Sequence, residues 1–552
     1  MSVETLAWIA IVAAAAALRF VDLPSDPLTV SESARSLDAF TVAGGDTPGT
    51  WVGDFDASIT AYLFDIFGES ELLARLPSAI GGSVLVAALW LARPFAGRSG
   101  AVVAGGLIAL SPVFVLTSRS AEPFALGAAV AVLAALSLLA YLREPSPTSL
   151  FAFVLFAGLA FLTDAVAVSA VLALLLFLAF EGAIVGSDRV RGAWTNFRTS
   201  PLQWAIVAIV VAATLQLGLT HFGTSTDKLG LPGITLWSEM FETPRDSRAP
   251  EYHMALLLAY EWPILVAGLG GLSVLGLRIR SYGLSSLSSL ERLLLVWIAL
   301  STLVIAFTTQ REAGQLLILL VPLALLGGVL AERLLRTFDW SAGPGRWTLA
   351  TITLTFTACA GLILTQWSSG SASPALKTFA IIFASLAAAF ALVPALVHRR
   401  RAAVVPASVL IALGITFAAH SSLAVSFDNG SEFARDEMLR ERREPFIETL
   451  KLLAEERSGA VVIDGSLRDL LGWDLRHLPH SFGGPLEEAS IFVGLAAGPP
   501  DGFARVSSEW LIAEGWYPQE LARPLDMWNW LLFRDPYGEF TEIIVQIYVP
   551  TA

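Results

Sequence analysis

Carboxylates and arginines stand in four short segments of this sequence, each beside a long apolar run. The segments contain Glu32 in LTVSESARSLD, Asp54 and Asp56 in GDFDAS, Arg119 and Glu122 in SRSAEP, and Arg311 in QREAG. A carboxylate can take a proton from an attacking hydroxyl, and an arginine can hold the oxygens of a phosphate leaving group. If the chain carries out chemistry, these carboxylates and arginines at the ends of apolar runs must provide it, next to a membrane.

Other catalytic motifs are missing from the sequence. It has no P-loop, GxSxG, HExxH or CxxC motif, and its six His residues do not cluster at metal-ligand spacing. The single cysteine, Cys359, lies in an apolar run, so a disulfide framework and a thiolate metal site are excluded. Any chemistry must therefore come from the carboxylates and arginines, and the sequence predicts no metal centre.

The elements that position these residues are membrane helices. The chain has 552 residues, of which 55% are hydrophobic and 15% charged, and its mean hydropathy is +0.66. A run of about 18 apolar residues is long enough to cross a bilayer as a helix. About thirteen such runs are predicted, at 5–23, 76–94, 99–117, 123–142, 148–163, 165–186, 203–222, 254–277, 289–308, 313–333, 347–367, 376–397 and 403–425.

Charge placement predicts how these helices are oriented. Basic residues fall in alternate loops, at Arg93 and Arg98, Arg143, Arg189 to Arg198, Arg278 to Arg292, Arg333 to Arg346, and His398 to Arg401. Under the positive-inside rule those loops are cytoplasmic. We therefore expect a multi-pass protein of the cytoplasmic membrane with its N-terminus inside, and with loop 24–75, loop 223–253 and the segment 426–552 outside.

The first outer loop and the C-terminal segment have structure of their own. SESARSLDAF and SITAYLFDIF have the spacing of short amphipathic helices along the outer interface. In 426–552, the stretch from Phe433 to Arg457 predicts a helix, and GAVVIDGS, ASIFVGLAAG and EIIVQIYVP predict strands. The fold class is thus a polytopic helical domain over 1–425 followed by an extracytoplasmic α/β domain over 426–552.

The C-terminal segment is acidic, with 22 Asp and Glu against 11 Lys and Arg, and supplies most of the net charge of −13. This charge argues against nucleic acid as a partner. Membrane lipid is the partner that the composition requires.

Several segments resemble the GT-C superfamily of membrane glycosyltransferases, the dolichyl-phosphate-mannose-dependent type. They are ALRFVDLPSDPLTVSESA, FGESELLARLPSAIGG, LSPVFVLTSRSAEP and AGLAFLTDA. The later segments REAGQLLILLVPLALLGG, LGWDLRHLP, EWLIAEGWYP and WNWLLFRDPYGEF resemble the archaeal and bacterial membrane proteins described as flippase-activity-associated.

The resemblance implies a hexosyl-type glycosyltransferase in surface-glycan or glycoprotein assembly, with a polyprenyl-phosphate-linked sugar as donor and a glycan or protein as acceptor. Glu32 falls at the acidic pair of the first loop and would be the catalytic base. Arg119 and Glu122 match the Ser-Arg and the following acidic position on the donor side, where a divalent cation is sometimes bound. Arg311 is a second candidate for the phosphate. Arg75 in ARLP is expected to be an interfacial charge that snorkels to water.

Three departures from the superfamily pattern leave an alternative open. Ser31 replaces the first acidic residue of the pair, Asp164 stands where a Lys is common, and an expected His is missing, with Asp54 and Asp56 roughly in its place. A degenerate relative that binds lipid-linked glycans, or assists their flipping or presentation, explains these departures. A secondary transporter is disfavoured because the charges collect at helix ends rather than at the midplane.

Overall fold

The chain forms a bundle of long apolar helices with a mixed β-sheet attached at one end. The computed structural model describes residues 2–24, 27–223, 230–242, 252–337, 382, 404–427, 436–438, 440–457, 460–486, 489–495, 498–506, 509–515 and 541–551.

The bundle contains the helices α1 (Val3–Phe20), α2 (Val30–Ala43), α3 (Phe55–Phe67), α4 (Glu71–Ala88), α5 (Arg93–Ala96), α6 (Arg98–Ala109), α7 (Pro112–Ser118), α8 (Phe124–Arg143), α9 (Pro147–Thr163), α10 (Ala165–Phe180), α11 (Asp188–Thr199), α12 (Pro201–Leu219), α13 (Pro232–Glu239), α14 (Tyr252–Ala259), α15 (Trp262–Tyr282), α16 (Ser289–Phe307), α17 (Leu317–Thr337) and α18 (Val404–Phe427). Short 3-10 or π turns occupy Leu89–Ala92, Glu181–Val185, His221–Gly223, Leu284–Ser286 and Ala313–Leu316.

The described residues contain eight helical segments long and apolar enough to cross a membrane, or nine if α6 and α7 count as one span. The polytopic helical class is therefore confirmed. The predicted runs 347–367 and 376–397 lie outside the described residues, apart from residue 382, so the total of about thirteen stays a prediction.

The apolar run predicted over 99–117 is divided into two helices that can form one bent span. Helices α6 and α7 meet at 62°, because α7 begins with Pro112 and has its own cap, the hydroxyl of Ser111, which accepts from the Phe114 N–H. A proline at the first helical position starts a helix easily but cannot continue the one before it.

The two ends of the bundle differ in charge. At one, the basic end, Glu291 lies between Arg278 and Arg333, and Glu181 pairs with Arg292. The opposite end, called the acidic end below, holds residues 21–24, 27–70, 119–123, 164 and 308–312. The basic residues that fall in alternate loops of the sequence thus lie at one end of the bundle, away from the acidic end.

Small residues allow the closest helix contacts. A Cβ on Gly328 of α17 would lie 2.3 Å from the Gly100 carbonyl oxygen of α6, and one on Gly81 of α4 would lie 2.6 Å from Leu126 Cα of α8. Backbones approach this closely in membrane bundles only where the side chains are small.

Gly328→Ala is expected to lower the free energy of unfolding by about 1–3 kcal/mol, since the new methyl group forces α6 and α17 apart. Gly106→Ala is the matched control, because a Cβ there meets nothing within 4 Å. Thermal unfolding of the two purified variants in detergent measures the difference. Equal midpoints would contradict the close approach of the two backbones.

Helices α2 and α3 confirm the two short helices predicted in the first outer loop. Thr29 caps α2: its hydroxyl accepts from the Glu32 N–H at 3.4 Å, and the Glu32 carboxylate accepts from the Thr29 N–H at 2.8 Å. Asp54 caps α3 by accepting from the Ala57 N–H at 3.0 Å. These caps satisfy N–H groups that have no partner within a helix, and they place both carboxylates at helix N-termini.

The second outer loop, 223–253, is described only in part. It contains α13 and the first residues of α14, while residues 224–229 and 243–251 lie outside the described part.

In its described residues, the C-terminal segment forms a seven-stranded mixed sheet with two helices. The strands are β1 (Asp436–Met438), β2 (Ala460–Ile463), β3 (His480–Phe482), β4 (Ala489–Leu495), β5 (Phe503–Arg505), β6 (Trp510–Gly515) and β7 (Thr541–Pro550), and the helices are α19 (Arg440–Arg457) and α20 (Arg468–Leu475). The strand order is β1-β6-β7-β4-β2-β3, with β5 also beside β7. β2 is parallel to β3 and β4, and the other pairs are antiparallel.

Strands β2, β4 and β7 confirm the three strands predicted from short apolar runs. The continuous helix predicted from Phe433 is wrong at its start, since Asp436–Met438 pairs with Ala513 to Gly515 and α19 begins at Arg440. The predicted boundary at residue 425 stays a prediction.

Helix α20, which contains the first five residues of LGWDLRHLP, joins the sheet to loop 24–75. Trp473 is buried against Phe64 of α3, with ring centroids 5.6 Å apart. Arg468 pairs with Asp38 of α2 at 3.0 Å, and Gly472 lies against the side chain of Leu37. The C-terminal segment therefore packs directly on the loop that carries the candidate catalytic residues.

Candidate functional site

A chain of polar contacts at the acidic end brings together three of the four predicted segments. The Ser31 hydroxyl donates to Glu122 Oε1 at 2.9 Å, and Arg35 Nη2 donates to Asp54 Oδ2 at 2.9 Å. Asp56 Oδ2 lies 3.7 Å from the same Arg35 nitrogen. We call Ser31, Arg35, Asp54, Asp56 and Glu122 the acidic-end cluster.

Ser78 of α4 connects the two halves of this cluster. Its hydroxyl lies 3.4 Å from Asp56 Oδ1 and donates to the backbone carbonyl of Glu122. The turn that carries Glu122 is thereby held beside the N-terminus of α3.

Glu122 is the cluster carboxylate that combines access with a shifted pKa. It is half-buried, between exposed Ser31 and the interior. Burial raises the pKa of Glu122 to about 8, and repulsion from the Glu312 and Glu32 carboxylates adds to the shift, while Ser31 and Arg35 oppose it. A carboxyl with such a pKa can take or give a proton near neutral pH.

Asp54 and Asp56 lie deeper in the cluster. Both are buried, Asp54 completely. Burial raises the pKa of Asp56 to about 7; the Arg35 guanidinium lowers it and the Asp54 charge raises it. The two carboxylates therefore share one guanidinium as their main positive neighbour.

Arg35 was missed by the reasoning from sequence. Burial alone would lower the pKa of Arg35, but the Asp54 and Asp56 carboxylates raise it above its ordinary value. Its side chain remains 24% exposed, so it can meet a ligand from solvent or from the membrane interface. Its spacing from Ser31, four residues on one helix, was the available signal, because such residues share a face.

Glu32 is held differently from Glu122. It is 1% exposed, and Oε1 accepts from Arg75 Nε at 2.8 Å and from the Ala121 N–H at 2.7 Å. Oε2 accepts from Arg75 Nη2 at 2.9 Å and from the Thr29 N–H at 2.8 Å. Burial alone would raise the pKa of Glu32, but Arg75 and the two N–H groups bring it below the ordinary value.

This geometry gives Glu32 a structural task, because both carboxylate oxygens already accept two hydrogen bonds. Its role as a catalytic base stays a prediction. The prediction that Arg75 snorkels to water is wrong: Arg75 is buried, pairs with Glu32 and donates to the carbonyls of Leu23 and Pro27.

Arg119 is also bound to main chain. Its Nη1 donates to the backbone carbonyls of Leu18 at 3.1 Å and Val21 at 2.8 Å, and its Nη2 donates to the backbone carbonyl of Asp22 at 3.0 Å. These carbonyls belong to the C-terminal end of α1, where cations are favoured by the helix dipole. Phosphate binding by Arg119 stays a prediction, and the contacts seen here fix the start of the first outer loop.

The fourth segment lies close to the cluster. Gly314 packs on the ring of Phe124, and a Cβ there would be 2.0 Å from the ring. The carbonyl of Glu312 lies 3.0 Å from His253 Nε2, and its carboxylate is close enough to repel the charge of Glu122. The segment that carries half-buried Arg311 therefore packs close to the segment that carries Glu122, and phosphate binding by Arg311 stays a prediction.

Asp164, where the resemblance implies a Lys, caps α10 by accepting from the Ala167 N–H at 2.9 Å. Its carboxyl packs on Gly127, where a Cβ would be 1.8 Å from Oδ1. Its other oxygen, Oδ2, is buried and finds no hydrogen-bond partner within the described part of the chain. Burial raises the pKa of Asp164 well above its ordinary value, with Asp54 and Asp56 adding to the effect.

The divalent cation that the resemblance implies stays a prediction. Among the described residues, no three His, Cys, Asp or Glu side chains are arranged to share a metal ion. Arg35 is the cation that contacts the carboxylates of Asp54 and Asp56.

Part of the chain is similar to a family of known proteins. Residues 57–215 match the family model described as dolichyl-phosphate-mannose-protein mannosyltransferase. No curated protein sequence matches the chain.

Two solved structures share the fold. ArnT from Cupriavidus metallidurans bound to undecaprenyl phosphate is 16% identical, with a TM-score of 0.55 over 87% of this chain and 86% of that one. AglB from Archaeoglobus fulgidus, in complex with an inhibitory peptide and a dolichol-phosphate, is 14% identical, with a TM-score of 0.53 over 88% of this chain and 65% of that one. At this identity the likeness concerns the fold, which extends over most of the chain.

Proposed function

We propose that this chain, which has the GT-C fold of membrane glycosyltransferases, transfers a sugar from a polyprenyl-phosphate donor to a glycan or protein acceptor at the outer face of the cytoplasmic membrane. The observation that carries the proposal is the acidic-end cluster. It places a half-buried carboxyl of raised pKa and a partly exposed guanidinium on one face, where apolar helices end.

In this proposal Glu122 is the base. The acceptor hydroxyl attacks the anomeric carbon of the sugar, its proton passes to a Glu122 carboxylate oxygen, and the bond from that carbon to the phosphate oxygen breaks. The phosphate leaves with the electron pair on its lipid. A base is most effective when its pKa lies near the working pH, as the pKa of about 8 for Glu122 does.

Arg35 and Arg311 are the proposed phosphate ligands. A guanidinium stays charged and can bind two phosphate oxygens at once. The partial exposure of the Arg35 side chain supports its role. For Arg311, the support is that Gly314, three residues further on, packs on Phe124, two residues after Glu122. Protonated Asp56 would reduce the repulsion that a phosphate meets on approach.

The separation of charge along the bundle supports the proposed orientation. Arginines of the basic end would face the cytoplasm under the positive-inside rule. The acidic-end cluster and the sheet would then face outward with the N-terminus inside, as expected for assembly of cell-surface glycans.

A second function is favoured by one observation. Glu32 and Arg119, the two residues that the resemblance makes most important, bind other parts of the scaffold. A protein that binds or presents lipid-linked glycans without transfer would need the site only for recognition.

Deletion of the gene in its host distinguishes the two functions. For a transferase we expect surface glycans that lack one defined sugar and accumulation of the charged lipid donor, both read by mass spectrometry. Complementation with wild type should restore the glycan and Arg35→Gln should not. Accumulation of complete lipid-linked glycan, with no sugar missing, would overturn the transferase in favour of the presentation function.

A further inference from the structure

A polar cleft lies where the sheet-bearing segment meets the first outer loop, apart from the acidic-end cluster. Its volume is about 350 Å³, within the range of cavities that bind small molecules. The walls include Pro27 before α2, Glu71 at the start of α4, and Trp473 and Arg476 around the end of α20. Two distant parts of the sequence therefore build one cavity.

One face of α19 forms the opposite wall. Glu444, Ile447, Glu448 and Lys451 are spaced three and four residues apart, so they follow one side of the helix. Ile447 is buried, whereas Glu448 and Lys451 are exposed. Among the described residues, no ion pair within 4.0 Å engages Glu448 or Lys451, so both heads can face a ligand.

The charges of the cleft limit what it can hold. Four carboxylates and two cationic side chains line it, so its net charge is negative and a phosphate or other anion would be repelled. Arg476 is already placed over the Trp473 ring at 3.9 Å and near Glu69. Lys451 is then the cation that remains for a ligand.

A hydroxyl group can form hydrogen bonds with both the acidic and the basic side chains of the cleft. It donates to a carboxylate such as that of Glu448 and accepts from an ammonium group such as that of Lys451. We propose that this cleft binds a neutral saccharide of one or two sugar units, as part of the acceptor. The proposal rests on the proposed function, which it deepens by naming the acceptor class.

The position of the cleft fits an acceptor site. The carbonyl of Pro27 accepts from Arg75 Nη2 at 3.0 Å, and the same guanidinium holds Glu32. Ser31, the partner of Glu122, lies one residue before Glu32. An extended acceptor that leaves the cleft along this segment would thus pass the proposed base.

Saturation-transfer NMR on the full-length protein in lipid nanodiscs tests the cleft. The probes are maltose, cellobiose and α-1,2-mannobiose, with a Ser-rich heptapeptide in parallel. We expect at least one disaccharide to bind, and the double variant Glu448→Gln, Lys451→Gln to weaken its affinity at least about tenfold through lost hydrogen bonds to charged groups. Glu456→Gln, exposed on the same helix but outside the cleft, should bind like wild type.

The outcomes separate this proposal from the proposed function. Absence of disaccharide binding, unchanged affinity in the double variant, or binding of the peptide alone would overturn the saccharide site, and host-cell glycan profiles would still test transfer. Disaccharide binding that the double variant loses, in a protein whose deletion removes no sugar, would support the cleft while the transferase fails.

Discussion

Glu122→Gln is expected to lower the rate of sugar transfer by at least about 100-fold, the usual contribution of a positioned base. An amide cannot take a proton from the acceptor hydroxyl, but it retains the size of the carboxyl and can still accept from Ser31. The fold should therefore be unchanged. The measurement is transfer by purified protein from the lipid donor that accumulates in the deletion strain.

The pH profile gives an independent readout of the same residue. Glu122 acts as a base only when ionised, so the rate in wild type should rise with pH up to about 8, its shifted pKa, and level off above it. Ser31→Ala removes a hydrogen bond that lowers this pKa, so the rise should move to higher pH. A loss of this dependence in Glu122→Gln would show that the carboxyl is its source.

The matched control is Glu144→Gln, a carboxylate near the basic end with an 85% exposed side chain. It should transfer sugar at the wild-type rate. Full activity of Glu122→Gln, or a wild-type rate that is flat between pH 6 and pH 9, would contradict a base at position 122.

The difference between Glu32 and Glu122 shows what sequence reasoning could reach. The resemblance selected Glu32 because of its place after Ser31. Thr29 and Glu32, three residues apart before a helix, are also the pattern of a capping box, which was visible in the sequence and indicates a structural role. Which carboxylate remains accessible depended on Arg75, 43 residues away, and no local pattern specifies that pair.

Arg35 and Arg311 also show that sequence patterns do not reveal which distant residues come together. Hydrophobic runs predicted most of the described helices, because the thickness of the bilayer alone sets the length of apolar sequence that a spanning helix requires. They could not place loop residues relative to one another. Arg35 meets Asp54 across the turn between α2 and α3, and the packing of Gly314 on Phe124 brings the segment of Arg311 close to that of Glu122.

The apolar strands of the sheet could be predicted from the sequence, whereas the polar or very short strands could not. β2, β4 and β7 are short buried runs with the composition of strands. β1 has the sequence DEM, and β3 and β5 have only three residues each. Such strands form because a neighbour offers hydrogen bonds, so tertiary structure rather than local preference decides them.

Breaking the Glu32 and Arg75 pair is expected to cost about 3–5 kcal/mol of the free energy of unfolding, as for other buried pairs that lose one partner. Glu32→Gln leaves a buried guanidinium without its countercharge, and Arg75→Met leaves a buried carboxylate. The double variant should lose less than the sum of the two, because neither charge then remains. Thermal unfolding of the three purified variants measures this coupling.

The same variants decide the role of Glu32. If Glu32 holds the scaffold, Glu32→Gln and Arg75→Met should lose stability and transfer together, and the double variant should regain part of both. If Glu32 were the base, Glu32→Gln would fold with the wild-type midpoint and lose transfer alone. Because Glu32 and Ser31 are neighbours on α2, loss of the pair would also move the partner of Glu122, so we expect the scaffold outcome with a measurable fall in activity.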